Sequence, residues 1–302
     1  MTSFTVKKKR RVRSPLTSAR NAALLLLPTL LLLAIYKYGP IGQAMVASGQ
    51  TFSVAGIPLG WIGLGNFERA LNDQVFLNSL GLTVAFAVVK IPVQLALGFC
   101  LALFLFQSTR MNNFFRAVII TPAVTPIAIV GIIFLFLFDR EIGLTNAILT
   151  AFGVGRVGWL TEPHAAQFVV VFASIWRDAG FAMLFYIAGL TAIPQEVIEA
   201  SRVDGANTFQ RSTKILLPML QRSTQLAAVS TTIAAFQYFA PIFVLTRGGP
   251  QNATNVAAFN IYQQAFVFYD QGLANAMAVI LLGVIVVITA LELYLLRSRW
   301  EY

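Results

Sequence analysis

The stretch Glu199–Pro218 reads EASRVDGANTFQRSTKILLP. It is a run of mixed charge between two long apolar runs, in a chain that is 57% hydrophobic and only 11% charged. A soluble domain carries about 25% charged residues. Too little polar surface is left to cover this much apolar side chain, so lipid is the solvent the composition implies. A loop that only joins membrane helices needs neither this length nor a pattern. What the stretch does depends first on the side of the membrane it faces.

The net charge of +10 is unevenly placed. Seven of the 22 basic residues lie in the first twenty positions (Lys7, Lys8, Lys9, Arg10, Arg11, Arg13 and Arg20), directly before an apolar run. That placement fits a cytoplasmic anchor better than a nucleic-acid surface. The single cysteine, Cys100, excludes an intramolecular disulfide. The single histidine, His164, excludes a polyhistidine metal site and reads as a loop residue.

A spanning helix needs about 20 mainly apolar residues. Six segments qualify, at roughly 22–47, 77–106, 114–138, 165–190, 223–246 and 273–296. The first is too long for a signal peptide, and no small-x-small cleavage site follows it. Its Pro28 is tolerable in a membrane helix. With the N-terminus inside, the cytoplasmic segments hold fifteen Lys and Arg and the outside loops hold four: Arg69, Arg140, Arg156 and Arg247. The reverse topology inverts that ratio and violates the positive-inside bias. Both termini, the basic segment 1–21, the tail 297–302 and the segment 191–222 are therefore expected in the cytoplasm.

Locally, Ile193–Val203 reads as a short helix. Pro194 suits its first position and Glu196 and Glu199 its early turns, where the helix dipole favours acid. Val197, Ile198, Ala200 and Val203 supply an apolar face. Gly205 is the natural stop, since glycine takes the left-handed cap without strain. A second short helix is expected over Thr208–Leu217, with Pro218 marking the entry to the fifth span. Such an element could rest on lipid headgroups or dock a cytoplasmic partner, and composition does not choose between them.

Glu199-Ala200-Ser201, Asp204-Gly205-Ala206 and Ile215-x-Leu217-Pro218 resemble the EAA loop of permease subunits in binding-protein-dependent ABC importers. Ser201 departs from the family's third small residue, an alanine. Gly63-Leu64-Gly65-Asn66-Phe67 resembles the family's "GLxNF" entry to the second span. Gly143-Leu144-x-Asn146 and Trp176-Arg177 fit as well. Thr246-Arg247-Gly248-Gly249-Pro250 with Thr254 is similar to the "TxGGPxxxT" segment of the carbohydrate-uptake branch. The likeness runs from about residue 25 to 295. Ala240 stands where many relatives carry aspartate, which puts a polar role there in doubt.

The resemblance implies an all-α, six-helix permease domain over 22–296 in a bacterial or archaeal cytoplasmic membrane. It implies coupling to an ATPase through Glu199, Ala200, Asp204, Gly205, Ala206, Ile215, Leu217 and Pro218. In this picture Glu199 meets a basic group, Gly205 permits the turn, and Ala200 and Ala206 allow close approach. The implied partners are a second permease, with the GGP segment favouring a heterodimer over a homodimer, two ATPase subunits and an extracytoplasmic solute-binding protein. No lysine sits in a G-x-x-x-x-G-K-[ST] context, so the chain lacks a phosphate-cradling P-loop. No cofactor is expected on this chain, and ATP with Mg belongs on the partner ATPase.

Lys90, Arg177 and Asp178 lie near the middle of two spans, where ionisable groups suggest function or a specific pair. One reading is a Lys90–Asp178 bridge locking two helices. The other is a solute pathway joined by Gln94, Gln237, Tyr238 and Asn275. The net charge of these three groups is +1, which would favour an anionic solute such as a phosphorylated polyol. Arg177 and Asp178 are consecutive and project about 100° apart on a helix, so they are not expected to serve one face. Two rival functions fit less well. An ion-coupled secondary transporter often shows inverted repeats with broken helices and leaves the EAA pattern unexplained, and a membrane enzyme lacks His/Asp clusters.

Overall fold

The structure is a computed structural model that describes residues 19–296, with side chains from residue 23. The basic segment before Ala19 and the tail 297–302, with Arg297 and Arg299, lie outside the described residues. Helix α1 (Ala19–Leu33) continues through a wide turn, Ala34–Tyr38, into α2 (Gly39–Ser48). Pro40 has no N–H to give to the turn before it, and Gly39 donates five residues back to Ala34 O. A small antiparallel hairpin follows, β1 (Gln50–Phe52) with β2 (Pro58–Trp61), which the all-α expectation did not include. Then come α3 (Gly65–Asn72) and α4 (Gln74–Leu105). Asp73 caps α4, its carboxylate accepting from the backbone N–H groups of Val75 and Phe76.

The segment 114–138, expected as one span, is two helices, α5 (Arg110–Val124) and α6 (Ile127–Leu137), bent by 96°. The cause is Pro126. It disfavours the helical region for the residue before it, and Thr125 is extended at φ −72°, ψ 137°. After α7 (Leu144–Ala151) and α8 (Pro163–Thr191) the chain enters α9 (Gln195–Val203), α10 (Thr208–Gln210), a wide turn over Arg211–Leu216, and α11 (Leu217–Met219). Helices α12 (Gln221–Phe236), α13 (Ala240–Leu245), α14 (Ala257–Tyr262) and α15 (Gln271–Leu295) complete the described chain. Among the described residues, five helical runs are long and apolar enough to cross a membrane, and the bent α5–α6 pair makes a sixth if it counts as one span.

Helices α4 and α8 form the centre of the bundle, with α5 and α12 packed on them. Gly98 lets α4 and α8 approach. A Cβ there would sit 2.5 Å from Ala182 Cβ and 2.8 Å from the Ala182 carbonyl carbon, closer than packed atoms tolerate. Below this crossing lies a core of Phe99, Leu105, Met183, Tyr186, Leu190, Leu216 and Leu220, with Phe99 edge-on to Tyr186. Outward faces carry exposed apolar side chains, as a lipid-facing bundle requires, and the apolar run of α1 is covered by none of the described residues.

The two asparagines of the Gly-Leu-x-Asn patterns are fully buried knots. Asn66 donates to Ser48 O and Gln50 O at 3.0 and 2.8 Å, tying α3 to the hairpin. Asn146 donates to Arg140 O and Val157 O, and its Oδ1 accepts from Val157 N–H and Trp159 Nε1–H. Buried amides need such partners, and here they fix the shape of two loops.

Candidate functional site

Two constellations stand out, one inside the bundle and one at its end. Inside, Lys90 at the middle of α4 reaches Asp178 of α8, Nζ to Oδ2 2.8 Å. Both side chains are buried. Arg177 Nη1 donates to the other oxygen, Oδ1, at 2.6 Å. Although consecutive helix positions project apart, the long guanidinium stem comes round the helix, so Arg177 and Asp178 do serve one cluster. Gln94, one turn along from Lys90, donates Nε2–H to Asp178 O at 3.1 Å. Lys90 Nζ also stands 5.1 Å from the centre of the Tyr238 ring, within cation–π reach.

Five of the seven candidate pathway residues thus meet: Lys90, Gln94, Arg177, Asp178 and Tyr238. The other two do not. Asn275 gives its amide to Gln271 O within the first turn of α15. Gln237 sits in the break between α12 and α13 with its side chain exposed. Three buried polar atoms of the cluster have no protein partner: Gln94 Oε1, Arg177 Nε and Tyr238 Oη. A buried polar group without a partner is destabilising, so these atoms mark a place suited to water or a polar solute. Arg177 is the member that reaches towards solvent, with its side chain 21% exposed.

At the end of the bundle, α9 and α10 are joined by a turn whose bonds explain its shape. Gly205 at φ +79° donates to Arg202 O, and Ala206 donates to Ser201 O. These are the paired closures of a Schellman cap, which requires a left-handed residue at Gly205. Pro194 was expected inside the first helix. It precedes the helix instead, because its ψ of 137° is extended and α9 begins at Gln195. The second helix starts at a capping box formed by Asn207 and Gln210. It runs past Leu217 to Met219, so Pro218 lies within the helical run, and the break before α12 falls at Leu220.

Of the apolar face expected on α9, only Ile198 is buried. It and Ser201, three residues on, form the stripe that α9 lays on the bundle. The Ser201 hydroxyl is satisfied by Ile198 O at 2.6 Å, which makes a serine acceptable at this buried position. Ile198 and Leu216 join the core beneath the crossing of α4 and α8. Opposite them Glu199, Ala200, Asp204, Gly205, Leu217 and Pro218 are exposed, and Ala206 and Ile215 are half-buried. Glu199 has no ion-pair partner among the described residues. Val203, 88% exposed, and Phe209, 76% exposed, flank the turn. Sequence reasoning placed Val203 on the packed face and passed over Phe209. Their signal was an apolar residue on each side of Asp204-Gly205 within a polar loop.

Residues 94–300 match the family described as "Binding-protein-dependent transport system inner membrane component". The chain belongs to this family. Among curated relatives of this permease, the sn-glycerol-3-phosphate transport system permease protein UgpA of Agrobacterium fabrum is 33% identical, over 92% of this chain and 95% of that protein. The sulfoquinovosyl glycerol transport system permease protein SmoG of the same organism is 31% identical, over 92% and 91%. The lactose transport system permease protein LacF of Rhizobium radiobacter is 30% identical, over 92% and 95%. In fold, the permease matches a chain of a bacterial alginate ABC transporter solved with an alginate pentasaccharide-bound periplasmic protein. That match has a TM-score of 0.81 at 21% identity and covers 97% of this chain and 100% of the other. The protein is therefore a multi-pass inner-membrane permease subunit of an ABC importer, a transport subunit.

Proposed function

We propose that this permease carries a sugar or sugar-like polyol phosphate from an extracytoplasmic binding protein to the cytoplasm. Two separate ATPase subunits supply the energy, binding ATP and Mg that this chain does not hold, and a related second permease completes the pathway. The observation that carries the reading is the seating of the Glu199–Pro218 element. Ile198 and Leu216 root it in the bundle core while Glu199, Ala200 and Gly205 stay exposed. A rigid element with a small-residue face and two exposed acids, Glu199 and Asp204, suits a cleft in an ATPase, and its core contacts transmit a pull to α4 and α8. Closure of the ATPases then rocks the helices between outward and inward states.

In this orientation both termini and the α9–α11 element are cytoplasmic. For the solute, the excess positive charge of Lys90 and Arg177 over Asp178 supports an anionic one. The names of the glycerol-3-phosphate and sulfoquinovosyl glycerol relatives point the same way. The test combines copurification with sided labelling. The tagged chain should bring down a P-loop ATPase. A cysteine at Gln251 should react with an impermeant reagent from outside, and one at Gln210 only once the cytoplasmic face is opened. The opposite labelling pattern overturns the orientation and the coupling role with it.

A further inference from the structure

The outer side of the bundle, where the end of α4 passes beneath the α9–α11 element, holds a cavity of about 890 Å³. Leu95, Phe99, Phe104 and Leu216 are among its apolar walls, and no carboxylate lines it. Phe104 is 81% exposed, so the cavity is open at its Phe104 end. Two cations also line it, Arg202 on α9 and Arg211 in the wide turn. Neither has a carboxylate partner among the described residues. The hydroxyl-bearing Thr208 and Ser212 lie beside them.

This arrangement is amphiphilic in a fixed order, with an apolar chamber at the depth of the α4 core and two unpaired guanidiniums at the level of the interface. A free anion would leave the chamber empty, and a neutral amphiphile would leave the cations unanswered. Basic pockets between helices on the cytoplasmic side of a membrane suit anionic headgroups, and the volume falls within the roughly 300–1,000 Å³ common for bound small molecules. We propose that this cavity binds one anionic phospholipid of the cytoplasmic leaflet, with acyl chain against Phe99 and Phe104 and phosphate between Arg202 and Arg211. The site couples lipid charge to the element that meets the ATPase, because Arg202 and Arg211 belong to that element. The proposal rests on the cytoplasmic orientation given above.

Native mass spectrometry of the whole purified importer would test it, with phosphatidylglycerol and phosphatidylcholine of identical acyl chains as probes. The wild type should hold one phosphatidylglycerol more tightly than phosphatidylcholine. Arg202→Gln with Arg211→Gln should weaken phosphatidylglycerol about thirty-fold, from roughly fivefold per basic residue at an anionic surface, and weaken phosphatidylcholine, whose phosphate is offset by its own ammonium, by much less. Lys214→Gln, an exposed cation of the same element outside the cavity, should change neither. Ala96→Trp, which fills the chamber, should lower both. Equal affinity for the two lipids, an unaffected double variant, or a cavity already closed to lipid by another subunit would each overturn the proposal. Sided labelling at Gln210 reads the orientation separately, so a failure there is distinguishable from a failure of the lipid site.

Discussion

Lys90 of α4 and Asp178 of α8 meet at 2.8 Å in the centre of the bundle, and Asp178 is shared with its own neighbour Arg177 at 2.6 Å. One carboxylate thus answers two cations, and the two cations are not equivalent. Removing Lys90 leaves Asp178 paired with Arg177. Removing Asp178 leaves two cations facing each other.

The first prediction follows from that asymmetry. Asp178→Asn should destabilise the subunit by about 3–5 kcal/mol, as breaking a buried pair does, and lower its abundance in the membrane. Lys90→Met should lower abundance less, and the Lys90→Met/Asp178→Asn double variant should recover part of what Asp178→Asn loses. Quantitative blotting and thermal melts in detergent would read it. Wild-type abundance for Asp178→Asn would sink the structural role.

Arg177 is the partly exposed member, so its loss should appear in transport. Arg177→Gln is expected to keep normal abundance and to raise the solute concentration needed for half-maximal uptake at least tenfold. Unchanged uptake kinetics would remove Arg177 from the pathway.

Coupling and stability should separate at the end of the bundle. Glu199→Ala and Gly205→Pro should abolish uptake while the subunit stays in the membrane, since no span depends on either residue. Leu216→Ala differs, because it empties part of a core and should cost about 2–5 kcal/mol. Comparing uptake with abundance for the three variants distinguishes docking from support. Normal uptake by either of the first two contradicts the docking role.

The close approach of α4 and α8 gives a further prediction. Gly98→Leu should destabilise by about 1–3 kcal/mol or more through overpacking, because Ala182 already occupies the space of a Cβ. Gly153, whose added Cβ would meet nothing within 4 Å, is a control for loss of a glycine, and Gly153→Asn should be tolerated. Equal melting temperatures for the two variants would count against a tight α4–α8 crossing.

The long apolar runs were legible because length and hydropathy are properties of a segment taken alone. The cap at Gly205 was legible too, since a glycine after a helical pattern and before a second one has a single physical reading. What escaped depended on reach and context. Pro126 was visible, but proline in a membrane helix is often absorbed, and only packing showed a 96° bend in place of a kink. The meeting of Arg177 with Asp178 escaped because backbone angles say where a side chain starts and not where a flexible stem ends. Asn275 and Gln237 were grouped with the pathway by polarity, whereas one amide is satisfied within its own helix and the other points outward. The hairpin Gln50–Trp61 was missed because its strands are of three and four residues, too short for a period of two to show.

The seating of α2 on α15 has a consequence for how the chain is made. Gly272 at the start of α15 lies so close to Asn66 Nδ2 that an added Cβ would stand 2.8 Å away, and Arg69 of α3 pairs with Asp270 just before α15. The hairpin and α3 leave the ribosome early, yet the surface that seats them is the last described helix to be synthesised. Until then the early segments wait without a mate while α4, α8 and α12 assemble. A message cut short before residue 270 would therefore yield a bundle centre with an unclasped leading end, a species for membrane quality control to recognise.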